Sequence, residues 1–200
     1  MMAEPARTLV VAYHKPLALL TTHDDELGRE TVYDRLRLRL PAPLRDVAWH
    51  AIGRLDADTT GLLLFTNDGH LVHHATQPKT KLVKTYVALV KGLLDEATVQ
   101  RLRSGVALTG GLGLSGPAEV AIDGFLKATT WLTIRISEGK NRQIRRMLLA
   151  VGSQVIRLQR THIGGVTLDV AEDAWRLLTE AEVEGGLGFR PRSLRKEGGA

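Results

Sequence analysis

Apolar positions along the chain come mostly in short runs of four to six, separated by Pro, Gly, Asn and Asp. Residues 9–13 (Leu-Val-Val-Ala-Tyr) and 17–22 read as strands joined at Lys15-Pro16. Residues 31–40 change period: Val32, Leu36 and Leu40 recur at helical spacing with basic residues between them, and Pro41 and Pro43 stop the helix. Residues 62–65 (Leu-Leu-Leu-Phe) form a short buried strand between Gly61 and Asn67-Asp68-Gly69, and 69–75 a short helix. Residues 82–90 alternate in part and predict a strand. Residues 95–103 predict a helix, with Asp95 as N-cap and Gly105 just past its end.

Residues 110–117 are glycine-rich but lack the Lys-Ser/Thr ending of a phosphate loop, so they read as a turn. Residues 119–122 and 128–136 are expected to be paired strands. A helix is expected from an Asn141 cap to about Val151, with Ile144, Met147, Leu148 and Val151 on one stripe and Arg142, Arg145 and Arg146 outside it. Strands at 154–158 and 166–168 follow, then a helix at 178–183. Strands and helices mix without a regular βαβ rhythm. The expected class is therefore α+β: a largely antiparallel mixed sheet flanked by helices. No linker splits the chain, so residues 1–185 read as one domain and 186–200 as a frayed basic tail.

Composition is that of an ordinary globular protein, 44% hydrophobic and 24% charged over 200 residues. The absence of cysteine excludes disulfides and thiolate metal sites. The apolar run after Arg7 is too short for a signal peptide, and no stretch nears the roughly 20 residues of a membrane span, so a cytoplasmic protein without membrane contact is expected. Charge adds more. The net +5 is concentrated: residues 135–162 hold seven Lys or Arg and the single acid Glu138. Lys79, Lys81, Lys84 and Lys91 form a second cluster, and Arg190, Arg192, Arg195 and Lys196 a third. Such windows suit a polyanion, RNA or DNA.

The candidate chemistry centres on residues 53–69, where Asp56 follows Gly53-Arg54-Leu55 on a loop entering the 62–65 strand. Two readings compete. Asp56-Ala-Asp58-Thr-Thr60 fits D-x-D-x-T, the nucleophile loop of magnesium phosphotransferases of the haloacid dehalogenase type. That loop follows an aliphatic strand, whereas Gly53 and Arg54 interrupt the segment here, and no later acidic pair completes a magnesium site. His70, His73 and His74 have the spacing of helix-borne metal ligands, but no nearby carboxylate completes a set, so no metal site is expected.

The second reading draws on motifs spread through the chain. Gly-Arg-Leu-Asp56 with Thr60-Gly-Leu-Leu-Leu, Lys84-Thr-Tyr86, Glu138-Gly-Lys-Asn-Arg-Gln-Ile-Arg-Arg-Met147, Leu158-Gln-Arg160, Trp175-Arg176 and the opening Tyr13-His-Lys-Pro16 resemble, in order, the RsuA-type ribosomal RNA pseudouridine synthases. The match runs over residues 9–183. It implies that family's catalytic fold with a central cleft, and isomerisation of a specific uridine to pseudouridine in ribosomal RNA without metal or cofactor. The early start of the motifs resembles the short form of the large-subunit branch, which lacks an N-terminal RNA-binding domain. Partners would be large-subunit ribosomal RNA or its assembly intermediate, met by a monomer.

By the same resemblance Asp56 is the catalytic carboxylate, Arg145 orients it, and Tyr86 stacks on the uracil. Arg54, Lys84, Lys140, Asn141, Arg142, Arg146 and Arg160 would bind RNA, with Leu158 on the other face of the base. Thr60 stands where an acid is common in the family, and Ala18 where a glycine often follows Lys-Pro. The bland alternatives are a turn-forming Asp56 and a core Tyr86, which would leave a non-catalytic RNA-binding or ribosome-assembly factor.

Overall fold

The computed structural model describes residues 7–192. Among these described residues nine strands form one sheet: β1 (Val10–Lys15), β2 (His50–Ala51), β3 (Thr60–Thr66), β4 (Lys84–Lys91), β5 (Glu119–Leu126), β6 (Thr129–Ile136), β7 (Val155–Ile163), β8 (Val166–Thr167) and β9 (Trp175–Leu177). Its order is β5-β6-β4-β7-β3-β1-β9, with β2 on β3 and β8 on β7. Every pairing is antiparallel except β3 with β7, where Thr60 faces Gln159 and Gly61 faces Arg160. The largely antiparallel mixed sheet read from the sequence is the one observed.

That single parallel junction divides the sheet into halves with different surroundings. All six residues of β1 are buried, and so are six of the seven in β3. Val10, Ala12, Leu62 and Leu64 pack on one face, Val11, Tyr13, Leu63 and Phe65 on the other. A strand covered on both faces needs an apolar run rather than alternation, hence Leu-Leu-Leu-Phe. In the other half β6 alternates: Leu132, Ile134 and Ile136 are buried, while Trp131, Thr133 and Arg135 are not. Only one face is covered there, by α4 (Glu96–Ser104) through Val99 and Leu102 and by α5 (Gln143–Ala150) through Ile144, Met147 and Leu148.

The helices begin largely as expected. α1 (Val32–Arg39) starts at Thr31 with a complete capping box to Asp34, and α4 starts at Asp95, whose side chain accepts from Thr98 N at 2.8 Å. α3 (Gly69–Thr76) is capped by Asp68. A four-residue turn of helix, α2 (Ala42–Arg45), continues past Pro41 and Pro43, because proline is tolerated in a first helical turn.

Three expectations are corrected. Residues 17–22 are not a strand: Ala18 has φ 69°, in the left-handed region, and only Leu20 makes a bridge, to Thr31. The last helix, α6 (Glu180–Leu187), runs past the tail boundary at 185. Phe189 packs on the core, and Arg192 pairs with buried Asp68 at 2.8 Å while its main chain bonds Thr8. Arg192 is therefore spent on the fold; Arg195 and Lys196 lie outside the described residues. Finally, Asn141 is not the cap of α5. Arg142 holds that position with φ 49° and no capping side chain.

Candidate active site

Over the β3–β7 junction lies a cleft of about 750 Å³. Its rim is the 52–59 loop on one side and residues 137–145 on the other, and residues 75–82 close one end. Tyr86, Leu158, Arg160 and Ile163 from β4 and β7 form its floor.

Asp56 sits on the loop between β2 and β3, and three local contacts set its main chain. Thr59 N donates to Asp56 O at 3.0 Å, closing a turn. Thr21 Oγ1 donates to Leu55 O at 2.7 Å and accepts from Leu55 N at 3.3 Å. Ala18 N donates to Ala57 O at 2.8 Å, so residues 17–22, which leave the sheet, brace this loop through Ala18 N and the Thr21 side chain. Beneath the loop lies Lys15, fully buried, whose Nζ donates to Pro16 O at 2.8 Å and Thr59 O at 2.9 Å. Burial pulls the Lys15 ammonium down to about 8, although Asp56 and Asp58 oppose the shift.

The arginines of α5 meet the loop at Asp58. Arg142 forms a two-pronged pair with it, Nη1 to Oδ1 at 3.1 Å and Nη2 to Oδ2 at 2.7 Å. Arg145 Nη2 donates to Asp58 O at 2.7 Å. Arg145 Nε lies 3.2 Å from Asp58 Oδ2, within ion-pair range but not aligned for a hydrogen bond. Burial is the strongest single influence on the Asp58 carboxyl and disfavours its charge. The Arg142 hydrogen bond and the nearby charges of Arg145 and Arg142 outweigh it and hold the group below its ordinary value. Burial lowers Arg145 from its ordinary value, against the pull of Asp58.

The expected Arg145–Asp56 pair is therefore not the contact present. The guanidinium nearest Asp56 is that of Arg142, 3.8 Å from Oδ2, while Arg145 ties α5 to the loop main chain. Arg142, expected as a phosphate contact, is partly occupied by Asp58. Sequence reasoning reads Asp58 only through the D-x-D spacing, as phosphate chemistry, and gives Lys15 no role of its own.

Other expected residues divide. Arg54, Lys84, Lys140, Asn141, Leu158 and Arg160 line the cleft. Arg54 is exposed at the rim, and Lys84 is half-buried, its ammonium lowered by burial and by Arg160. Arg146 points away from the cleft and holds the 109–116 loop, donating to Thr109 O at 2.7 Å. Glu138 accepts from Gly116 N at 2.6 Å and from the Gln143 amide, and Gln143 Oε1 accepts from Lys140 N at 3.0 Å. These bonds shape the turn before α5 that Asn141 was expected to cap. His74 Nε2 meets Leu187 O at 2.9 Å, so that ring braces α6.

Comparison with known proteins is consistent with this geometry. The family model described as RNA pseudouridylate synthase matches residues 9–150. The chain is 39% identical over 184 residues to ribosomal large subunit pseudouridine synthase E of Vibrio vulnificus (strain CMCP6), covering 86% of this chain and 75% of that protein. It is 40% identical over 162 residues to ribosomal large subunit pseudouridine synthase B of Escherichia coli (strain K12), covering 80% of this chain and 52% of the relative. The chain thus spans about half the length of the B-type relatives. A crystal structure of a pseudouridylate synthase superposes with a TM-score of 0.79 at 33% identity, covering 89% of this chain and 73% of that one. Human RNA pseudouridylate synthase domain containing 1 shares the fold alone, with a TM-score of 0.54 at 16% identity.

Proposed function

Because this chain belongs to the RNA pseudouridylate synthase family, we propose that it isomerises one uridine of ribosomal RNA to pseudouridine, with Asp56 as the catalytic carboxylate. The observation that carries the reading is the placement of Asp56: a braced carboxylate at the rim of a cleft floored by Tyr86 and Leu158. Large-subunit RNA, free or in an assembling particle, is the proposed substrate, because relatives of both the E and B types carry that substrate in their names. The protein would act on it as a monomer in the cytoplasm.

The geometry suits the steps the reaction needs. A base must leave its stack to reach Asp56, which costs a few kcal/mol. Arg54, Lys140 and Asn141 on the rim offer donors to the displaced backbone, while the uracil enters between Tyr86 and Leu158. Tyr86 is 9% exposed and Leu158 7%, so the base would sit in a largely dry slot. There Asp56 meets the ribose or the base ring, the glycosidic bond breaks, the uracil turns, and carbon five bonds to the ribose. Arg142 and Arg145, through Asp58, hold the loop so that Asp56 stays at the rim.

The test is tritium release from ribosomal RNA carrying tritium at carbon five of uracil. Wild-type protein should release it, and Asp56→Asn should fold and bind the same RNA without release. Release by Asp56→Asn at the wild-type rate would remove Asp56 from the chemistry. Tight binding with no release by wild type would mark a non-catalytic RNA-binding factor.

A further inference from the structure

Arg160 is the most buried cation of the cleft floor, with 2% of its surface exposed. Its Nε donates to Leu62 O at 2.8 Å and its Nη1 to Arg54 O at 3.3 Å. Both partners are neutral carbonyls, so neither bond neutralises the guanidinium. Its Nη2 is buried and has no hydrogen-bond partner among the described residues. A buried donor without an acceptor, on a charged group without a counter-charge, is costly to keep. Such a donor is completed by a bound ligand, an ordered water or an ion.

Position says which part of the ligand. On the antiparallel β4–β7 ladder Arg160 stands opposite Tyr86, and Leu158 opposite Ala88. Cross-strand partners share a face, and so do residues two apart on one strand. Arg160 therefore shares the cleft-facing side of the ladder with Tyr86 and Leu158, and is more buried than either. A hydrated phosphodiester cannot descend to so enclosed a group, whereas the edge of a flat base can.

We propose that Arg160 is a catalytic residue that stabilises negative charge on the uracil ring, its Nη2 donating to a ring carbonyl oxygen. This rests on the proposed function above. When the bond between ribose carbon one and base nitrogen one breaks, its electron pair passes to that nitrogen and by conjugation to the carbonyl oxygens. If Asp56 first adds to the base ring, charge arrives on the same oxygens. When carbon five then bonds to the ribose carbon, any bond to Asp56 breaks and returns its carboxylate, carbon five loses its proton to solvent, and nitrogen one takes a proton from solvent. A fixed, desolvated cation at the oxygen favours the charged state over the neutral base.

The experiment compares wild type, Arg160→Lys and Arg160→Gln on a ribosomal RNA transcript that the wild type modifies. Folding is checked by circular dichroism, and the single-turnover rate, RNA affinity and its salt dependence are measured. The same rates are taken with 5-fluorouridine at the target, as consumption of the nitrogen-linked nucleotide, because the fluorinated base carries negative charge more readily. Both variants should be slower by about 10²-fold or more, with affinity within about threefold and an unchanged salt slope. The deficit should shrink at least about tenfold with the fluorinated base.

A rate within about threefold of wild type in a folded variant overturns the proposal. So does a salt slope lower by about one with affinity lost in proportion, the signature of a phosphate contact. An equal deficit for both bases reduces Arg160 to structural support. If Arg160→Gln does not fold, Arg160→Lys decides, since it keeps the charge and loses the second prong. Failure of the wild type to release tritium from any ribosomal RNA would instead remove the proposed function, and this role with it.

Discussion

At the β3–β7 junction, Gly61 faces Arg160 across the one parallel strand pairing among the described residues. An added Cβ at Gly61 would stand 2.2 Å from Arg160 O, 2.7 Å from Arg160 N and 2.9 Å from Arg160 C. All three are main-chain atoms of a central strand, so none can swing aside. Gly61 also has φ 111°, which an L-residue adopts only under strain. Strain of this kind costs roughly 1–3 kcal/mol, and overpacking against a fixed wall another 1–3 kcal/mol. Gly61→Ala should therefore lose about 3–5 kcal/mol, a large part of the roughly 5–15 kcal/mol that holds a domain together. Urea unfolding measures this as a lower midpoint at unchanged slope.

Gly113→Ala separates the two costs. Gly113 has φ 70° with nothing within 4 Å of an added Cβ, so it carries strain alone, about 1–2 kcal/mol. If the two variants unfold within about 1 kcal/mol of each other, the close approach at the junction is not what demands glycine.

Three further outcomes are expected. Lys15 titrates near 8 in the fold against an ordinary 10.5, so between those values the unfolded chain binds more protons and stability rises with pH. The 2.5-unit gap is worth about 3 kcal/mol; Lys15→Met should lack that rise, and parallel wild-type and variant profiles from pH 8 to 10.5 would contradict the buried ammonium. Asp58→Asn removes the two-pronged partner of Arg142. Because both side chains are half exposed, it should cost only about 1 kcal/mol in urea unfolding while slowing single-turnover tritium release about tenfold or more; a full rate would mean the pair does not hold the Asp56 loop. Asp68→Ala strips the acceptor of Thr8, Arg192 and the first turn of α3 at once and should lose about 2–3 kcal/mol by thermal unfolding. Its modification rate well below the melting temperature should match wild type.

Features set by neighbours in sequence were the ones legible from it. Thr31 with Asp34 and Asp95 with Thr98 are complete cap signals within four residues, and α1 and α4 start where they indicate. The double-sided burial of β3 was visible as an unbroken apolar run. What escaped is set by distant partners. Residues 17–22 have strand composition, but Ala18 N and the Thr21 side chain go to the Asp56 loop, some 35 residues on. β2 and β9 are two and three residues long, too short for any period, and exist only as partners of β3 and β1. The site divides the same way. Asp56, Tyr86 and the α5 arginines carried their own motifs, whereas Asp58 and Lys15 gain meaning only when α5 and β1 converge on one loop. Asn141 looked the better cap because side-chain type is local. The displacement of the cap to Arg142 goes with the turn held by Glu138, which accepts from Gly116 N, 22 residues away, and from the Gln143 amide.

The lone parallel pairing also orders the birth of the molecule. β3 ends at Thr66 and β7 begins at Val155, so the cleft floor cannot close until the intervening chain has been synthesised. The β1–β3 ladder is complete in the first 66 residues and the β5–β6 hairpin joins residues three to sixteen apart, so both ladders can form before the junction closes. Their union costs the entropy of closing a loop of nearly a hundred residues, a few kcal/mol repaid only when Gly61 meets Arg160. The cleft is therefore completed late, and a partly made chain carries Asp56 without the floor beneath it.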